Sequence, residues 1–130
     1  MTDPITTARA SFDAYVRKDR AAIEHLIADD FQFISPLDNK IDRATYFARC
    51  WPNSETIAGF TFIHLAAAGE RAFVTYEGNT TSGKTFRNTE VFTVLDGKIT
   101  LVEVYFGWTV PHDAPEGGFV NPPPAKTGAP

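Results

Sequence analysis

Glu90 stands between Asn88 and Phe92 at a spacing of two, so in an extended chain all three side chains leave the same face. If Phe92 faces the core, Glu90 does too, and a carboxyl group there is either neutral or paired. An acid whose pKa is raised inside an apolar cavity can serve as a general acid or base, which makes Glu90 the first catalytic candidate. The alternative is a carboxyl that pairs with a buried donor such as Tyr15, Tyr46 or His64 and only satisfies the cavity. His64 follows Phe60 and Phe62 at the same spacing, so alternation sends it inward, as a second catalytic candidate or as a hydrogen-bonded core histidine. Counted from Phe73, Thr75 and Glu77 share one side of their strand. If that side is the interior, Glu77 and Glu90 form a carboxylate pair that cannot easily ionise twice. Otherwise Glu77 lies solvated near an open end.

Other chemistries are poorly served. His25 and His112 fall on a helix surface and in the C-terminal stretch, and no His or acidic pair has ligand spacing with a third partner, so no metal is expected. Cys50 shares an apolar helical stripe with Trp51 and reads as a small buried hydrophobe rather than a nucleophile. It is the only cysteine, so no intrachain disulfide forms. Phosphate loops, dinucleotide fingerprints and nucleophile elbows are absent, and no cofactor is expected. A net charge of −4 with scattered basic residues argues against nucleic acid and against anionic membranes as partners. Met1-Thr2-Asp3-Pro4 lacks the basic and apolar regions of a signal peptide, and no apolar run approaches the ~18 residues of a membrane span. A soluble, cytoplasmic protein is the expectation.

The elements that must position these residues change character along the chain. Its 130 residues suit one domain. Asp3 and Pro4 read as the N-cap and first position of a helix carrying Ile5, Ala8, Phe12, Tyr15 and Val16 at helical spacing. A second helix starts at Asp19 and buries Ala22, Ile23, Leu26 and Ile27. Phe31 to Ile34 read as a short strand stopped by Pro36. A third helix follows Asp42, with Ile41 and Tyr46 placed as a hydrophobic staple, and Pro52 ends it. From about Ile57 the turn signals Gly69-Glu70, Ser82-Gly83 and Asp96-Gly97 divide the chain into four strands of about ten to twelve residues, roughly twice the usual ~5–6. Strands that long coil, and helices laid on one side of them enclose a space. The last twenty residues hold six of the nine prolines and three of the nine glycines, and read as a loose tail or as a strap over the pocket mouth or a partner subunit, with Phe119 as its anchor.

Ile23-Glu24-His25-Leu26-Ile27-Ala28-Asp29-Asp30-Phe31, Ser35-Pro36 and the hairpin from Glu90 through Asp96-Gly97 to Val104-Tyr105-Phe106-Gly107 carry a resemblance to a known family. The chain resembles the SnoaL-like proteins of the nuclear transport factor 2-like superfamily over about residues 5 to 109. The resemblance implies an α+β fold: a cone-shaped α+β barrel with three N-terminal helices packed on a long, curved antiparallel sheet, residues 1–110 forming the domain and 111–130 the Pro/Gly-rich tail. The fold hosts cyclases, isomerases, hydrolases and non-catalytic proteins, so it does not by itself fix an activity.

Laid on the ketosteroid isomerases of that superfamily, Glu90 takes the place of the acid that an apolar site keeps protonated. Ser35 stands where their base would be and Phe12 near their oxyanion tyrosine, so that chemistry lacks two of its three groups. Laid on the epoxide hydrolases, the Arg and two Asp positions read Asn88, Glu90 and Val104, and that triad is missing as well. In SnoaL-like cyclases the acid–base residue of the cavity resembles Glu90.

Eleven Phe, four Tyr and two Trp either fill a core or line a cavity. Tyr15, Phe33, Tyr46, Trp51, Asn88, Phe92, Phe106 and Trp108 are expected to contact a small-molecule ligand. The opposite sheet face, with Ile63, Leu65, Val74, Tyr76, Val91 and Tyr105, is apolar enough to suggest a homodimer. The expected function is therefore a pocket for a small, largely apolar molecule, with acid–base chemistry by Glu90. A non-catalytic ligand-binding domain, or a dimeric interaction domain with its pocket filled as core, remains the alternative.

Overall fold

The computed structural model describes residues 3–122. Three helices lie in the first fifty residues, the third separated from the first two by a pair of strands. The first, α1 (Pro4–Arg17), starts where Asp3 accepts from the Ile5 amide at 3.0 Å, and stops at Lys18, whose φ of 56° no longer continues a helix. Asp19 caps α2 (Arg20–Leu26) through the Ala22 amide, and Asp42 caps α3 (Arg43–Arg49) through the Thr45 amide. A 3-10 helix over Trp51–Thr56 holds Pro52 and leads into the sheet.

The sheet has six strands: β1 (Ile27–Ser35), β2 (Asp38–Asp42), β3 (Ile57–Ala68), β4 (Arg71–Thr80), β5 (Thr85–Leu95) and β6 (Lys98–Val110). The last four form the expected antiparallel meander of long strands. Asp96 and Gly97 both have positive φ, as a type I′ turn requires. The sheet is mixed rather than wholly antiparallel, because β1 runs parallel to β6 and the order is β2-β1-β6-β5-β4-β3. The sequence pattern shows β1 shorter than it is and does not show β2 at all. Asp38-Asn39-Lys40-Ile41-Asp42 has one apolar residue, which suffices for an edge strand that pairs on one side only.

Bulges interrupt the ladders and bend the sheet. One lies between Phe62 and His64 against β4; another lies where Arg87 and Asn88 face Trp108 and Phe106, leaving Gly107 over. At Gly107 a Cβ would overlap the carbonyl oxygen of Arg87, so only glycine permits that approach. Each bulge swaps which face of the strand the following residues occupy.

Helix α1 lies across β3, β4 and β5. Its Phe12 ring meets Phe60, Phe62, Tyr76 and Phe92 edge-on, at centroid distances of 4.9, 5.3, 4.8 and 5.7 Å. Such contacts add roughly 0.5–1.5 kcal/mol per pair to the hydrophobic gain, so this cluster fixes where α1 sits on the sheet. Phe31, Ile23, Ile99 and Val74 are fully buried around it. Residues 111–122 form neither helix nor strand, and Phe119 is 79% exposed. The rest of the proline-rich tail lies outside the described residues.

Candidate active site

A cavity of ≈ 430 Å³ lies between the helices and the inner face of the sheet. That volume suits a ligand of one to three rings, and the lining is mainly apolar. Phe86, Asn88, Glu90 and Phe92 reach it from β5 by alternation, and Val104 and Phe106 from β6. Helix α1 contributes Tyr15, β1 contributes Phe33, and α3 contributes Tyr46.

Glu90 is half-buried because the cavity touches it, and protein surrounds it otherwise. Its Oε2 accepts from the Tyr76 hydroxyl at 2.5 Å. Oε1 has no protein partner among the described residues and faces the cavity. Burial pushes the carboxyl up to about 7, and the Tyr76 hydrogen bond pulls in the opposite direction. Asn88 braces the arrangement: its side-chain nitrogen approaches the Tyr76 oxygen at 3.5 Å, and its oxygen accepts from the Gly107 amide at 3.2 Å. The bulge at Gly107 thus also orients Asn88.

A second polar pair faces the same space. The Tyr15 and Tyr46 hydroxyls share a short hydrogen bond. Burial raises both phenols first, and the charge of Glu90 raises them further, so both stay protonated. Only one of the two protons is used between them, which leaves the other for a ligand acceptor. Cys50 lines the cavity too, and burial pushes its thiol up to about 11, leaving it a poor nucleophile.

Of the residues expected at the ligand, Tyr15, Phe33, Tyr46, Asn88, Phe92 and Phe106 line the cavity beside Glu90, and three others do not. His64 is exposed on the outer face, because the bulge after Phe62 reverses the alternation and turns Leu65 toward the core instead. Trp108 is 50% exposed and, unlike Phe106, does not line the cavity: after the Gly107 bulge it stands over Arg87 and against His112, while Phe106, 53% exposed, lies at the cavity's edge. Trp51 is buried behind Tyr15, at 4.8 Å between ring centres, and supports the wall without forming it.

Strand β4 also presents its other face. Ala72, Val74, Tyr76 and Gly78 are buried and Phe73 is exposed, so Glu77 lies outside, paired with Arg87 at 2.6 Å and away from Glu90. Tyr76, assigned to the outer face by the sequence pattern, is the direct partner of Glu90. Counting both parities would have found it: Arg71, Thr75, Glu77 and Asn79 are polar, whereas Ala72, Val74, Tyr76 and Gly78 carry no charge.

Among the described residues, no group of three or more His, Cys, Asp or Glu side chains comes together to hold a metal ion. No described helix is long and apolar enough to cross a membrane.

Comparison with known proteins agrees with this architecture. An NTF2-like protein from Burkholderia thailandensis E264 is 26% identical with a TM-score of 0.61, over 82% of this chain and 92% of that one. An LEH-like epoxide hydrolase of M. tuberculosis is 22% identical with a TM-score of 0.67, over 80% and 82% of the two chains. A proposed ketosteroid isomerase from Kribbella flavida DSM 17836 is 18% identical with a TM-score of 0.70, over 94% and 83%. At that identity, the last two show the shared fold alone. No curated protein matches the chain. The family model of the SnoaL-like domain matches residues 8–102, most of the chain from within α1 to the first part of β6, and the chain belongs to the SnoaL-like domain family.

Proposed function

We propose that the cavity of this cone-like fold takes up a small, largely apolar molecule and that Glu90 moves a proton on it. The observation that carries the reading is a carboxyl group raised to about 7, with one oxygen anchored by Tyr76 and the other open to an apolar cavity. At neutral pH such a group is divided between its acid and its base form, which suits proton transfer in either direction. In the reaction that fits, Glu90 Oε1 takes a proton from the carbon beside a substrate carbonyl. The spare hydroxyl proton of the Tyr15–Tyr46 pair stabilises the oxygen that gains charge. The acid so formed returns the proton at the same or a neighbouring carbon, so no cofactor enters the balance. Isomerisation, cyclisation and hydration all contain such a step.

The test uses 2-tetralone, a two-ring ketone with acidic protons beside its carbonyl. In heavy water the protein should speed deuterium uptake at those carbons, as read by proton NMR, and Glu90→Gln should return the rate to that of buffer. A protein that neither binds 2-tetralone nor accelerates its exchange would leave the cavity without this function.

A homodimer through the outer face of the sheet is also proposed. Tyr105 is 56% exposed there, with Phe73 and Trp108 on the same face. Light scattering after size exclusion should give twice the monomer mass at micromolar concentration, and a monomer would remove the claim.

A further inference from the structure

The mouth of the cavity carries a second group of polar atoms that the Glu90 chemistry does not use. Ser35, Leu37, Asp38, Arg49 and Asn53 all line it, around the β1–β2 turn and the end of α3. The Asp38 side chain is only 8% exposed; its Oδ2 accepts from Ser35 Oγ at 2.8 Å and its Oδ1 from Arg49 Nε. Arg49 Nη2 reaches the Leu37 carbonyl. That leaves Arg49 Nη1 and the whole Asn53 side-chain amide without a protein partner among the described residues, both at the mouth. Glu90 lines the same cavity as Asp38, Arg49 and Asn53, so one ligand filling it can touch both polar groups.

We infer that Arg49 and Asn53 form a recognition subsite for the far end of the ligand, which is a neutral hydroxyl or carbonyl group. The inference rests on the small-molecule reading of the cavity and specifies its ligand as two-ended: an apolar body with one polar group at Glu90 and another at the mouth. A hydroxyl fits both free partners, accepting from Arg49 Nη1 and donating to the Asn53 carbonyl oxygen. A carboxylate cannot donate, and it would stand beside the enclosed Asp38 carboxylate, which already neutralises the guanidinium. Leu37, 70% exposed at the rim, adds an apolar side chain to the cavity wall beside this subsite.

Three naphthalenes with the same body separate the possibilities: 2-naphthol, 2,6-dihydroxynaphthalene and 6-hydroxy-2-naphthoate, titrated by fluorescence at pH 6. The dihydroxy compound should bind about tenfold tighter than 2-naphthol, the gain expected from a hydrogen bond with a charged donor. Asn53→Ala and Arg49→Gln should each lower the affinity for the dihydroxy compound more than that for 2-naphthol, and so reduce the preference. The Asn53 side chain makes no internal bond, so its removal does not threaten the fold. Asp38→Asn frees the charge of Arg49 and should raise naphthoate affinity relative to the dihydroxy compound. Equal affinity for 2-naphthol and the dihydroxy compound, or a preference that survives both substitutions, overturns the subsite and leaves the cavity reading standing. Absence of the naphthoate gain in Asp38→Asn overturns the preference for a neutral end. If 2-naphthol itself does not bind, the cavity reading falls and takes the subsite with it.

Discussion

Tyr76 on β4 donates its hydroxyl proton to Glu90 Oε2 on β5 at 2.5 Å, and among the described residues no cation pairs with that carboxyl group. A single neutral donor does not repay the removal of a charge from water. The carboxyl therefore keeps its proton to a higher pH than a surface glutamate would.

Stability should fall with pH because of this group. Its folded pKa, about 7, lies above the ordinary value of 4.5, so the contribution is complete below about pH 4.5 and is lost as pH rises through about 7. At about 1.4 kcal/mol for each pKa unit, the whole loss is at most about 3.5 kcal/mol. Urea titrations of wild type and Glu90→Gln between pH 4.5 and 8 should diverge, with the variant the more stable at pH 8. Parallel curves would contradict the raised pKa.

Tyr76→Phe removes the one bond that favours the ionised carboxylate. The Glu90 midpoint, followed by the side-chain carbonyl signal in carbon-13 NMR, should move up by about one unit. A midpoint that stays put or moves down would mean that Tyr76 is not the group holding the pKa in check.

The two glycines beside the cavity should respond differently to alanine. At Gly107 the new methyl meets the Arg87 backbone, which has nowhere to go, and thermal unfolding should show a loss of about 2–4 kcal/mol. At Gly78 it meets the Phe86 ring, a side chain that can swing toward the cavity. Gly78→Ala should cost less stability, about 1–2 kcal/mol, and lower the affinity for 2-naphthol. The reverse order of stabilities would argue against the Gly107 bulge.

What the sequence hides at the site follows from those bulges. Asn88, Glu90 and Phe92 lie on an uninterrupted run of β5, so alternation places them correctly. His64 and Trp108 each come just after an extra residue, which local spacing cannot reveal, since it depends on the register of the neighbouring strand. Phe73 misleads for another reason: a large apolar residue suggests the interior, yet it stands on the outer face while Ala72 and Gly78 occupy the space beneath the helices and rings. The helices were the more legible part because their signals are local. Asp3, Asp19 and Asp42 each cap the helix that the pattern assigns to them. The mouth group was invisible, because Asp38 and Arg49 meet only once β2 pairs with β1.

The Tyr15–Tyr46 pair supports a test by double-mutant cycle. Either single change to Phe leaves the remaining phenol in an apolar wall without its partner, a state that costs about 1–3 kcal/mol when the group is buried. Changing both removes the unsatisfied group together with the bond, and two Phe rings preserve the packing against Trp51, Phe31 and Phe33. The double variant should therefore be no less stable than the worse single one, and the coupling between the sites should be about 1 kcal/mol or more. Deuterium exchange of 2-tetralone should behave otherwise. If the spare hydroxyl proton stabilises the substrate oxygen, each single variant keeps one donor and part of the rate, whereas the double variant loses it. Stability and rate would then rank the three variants differently, which a purely structural pair would not do.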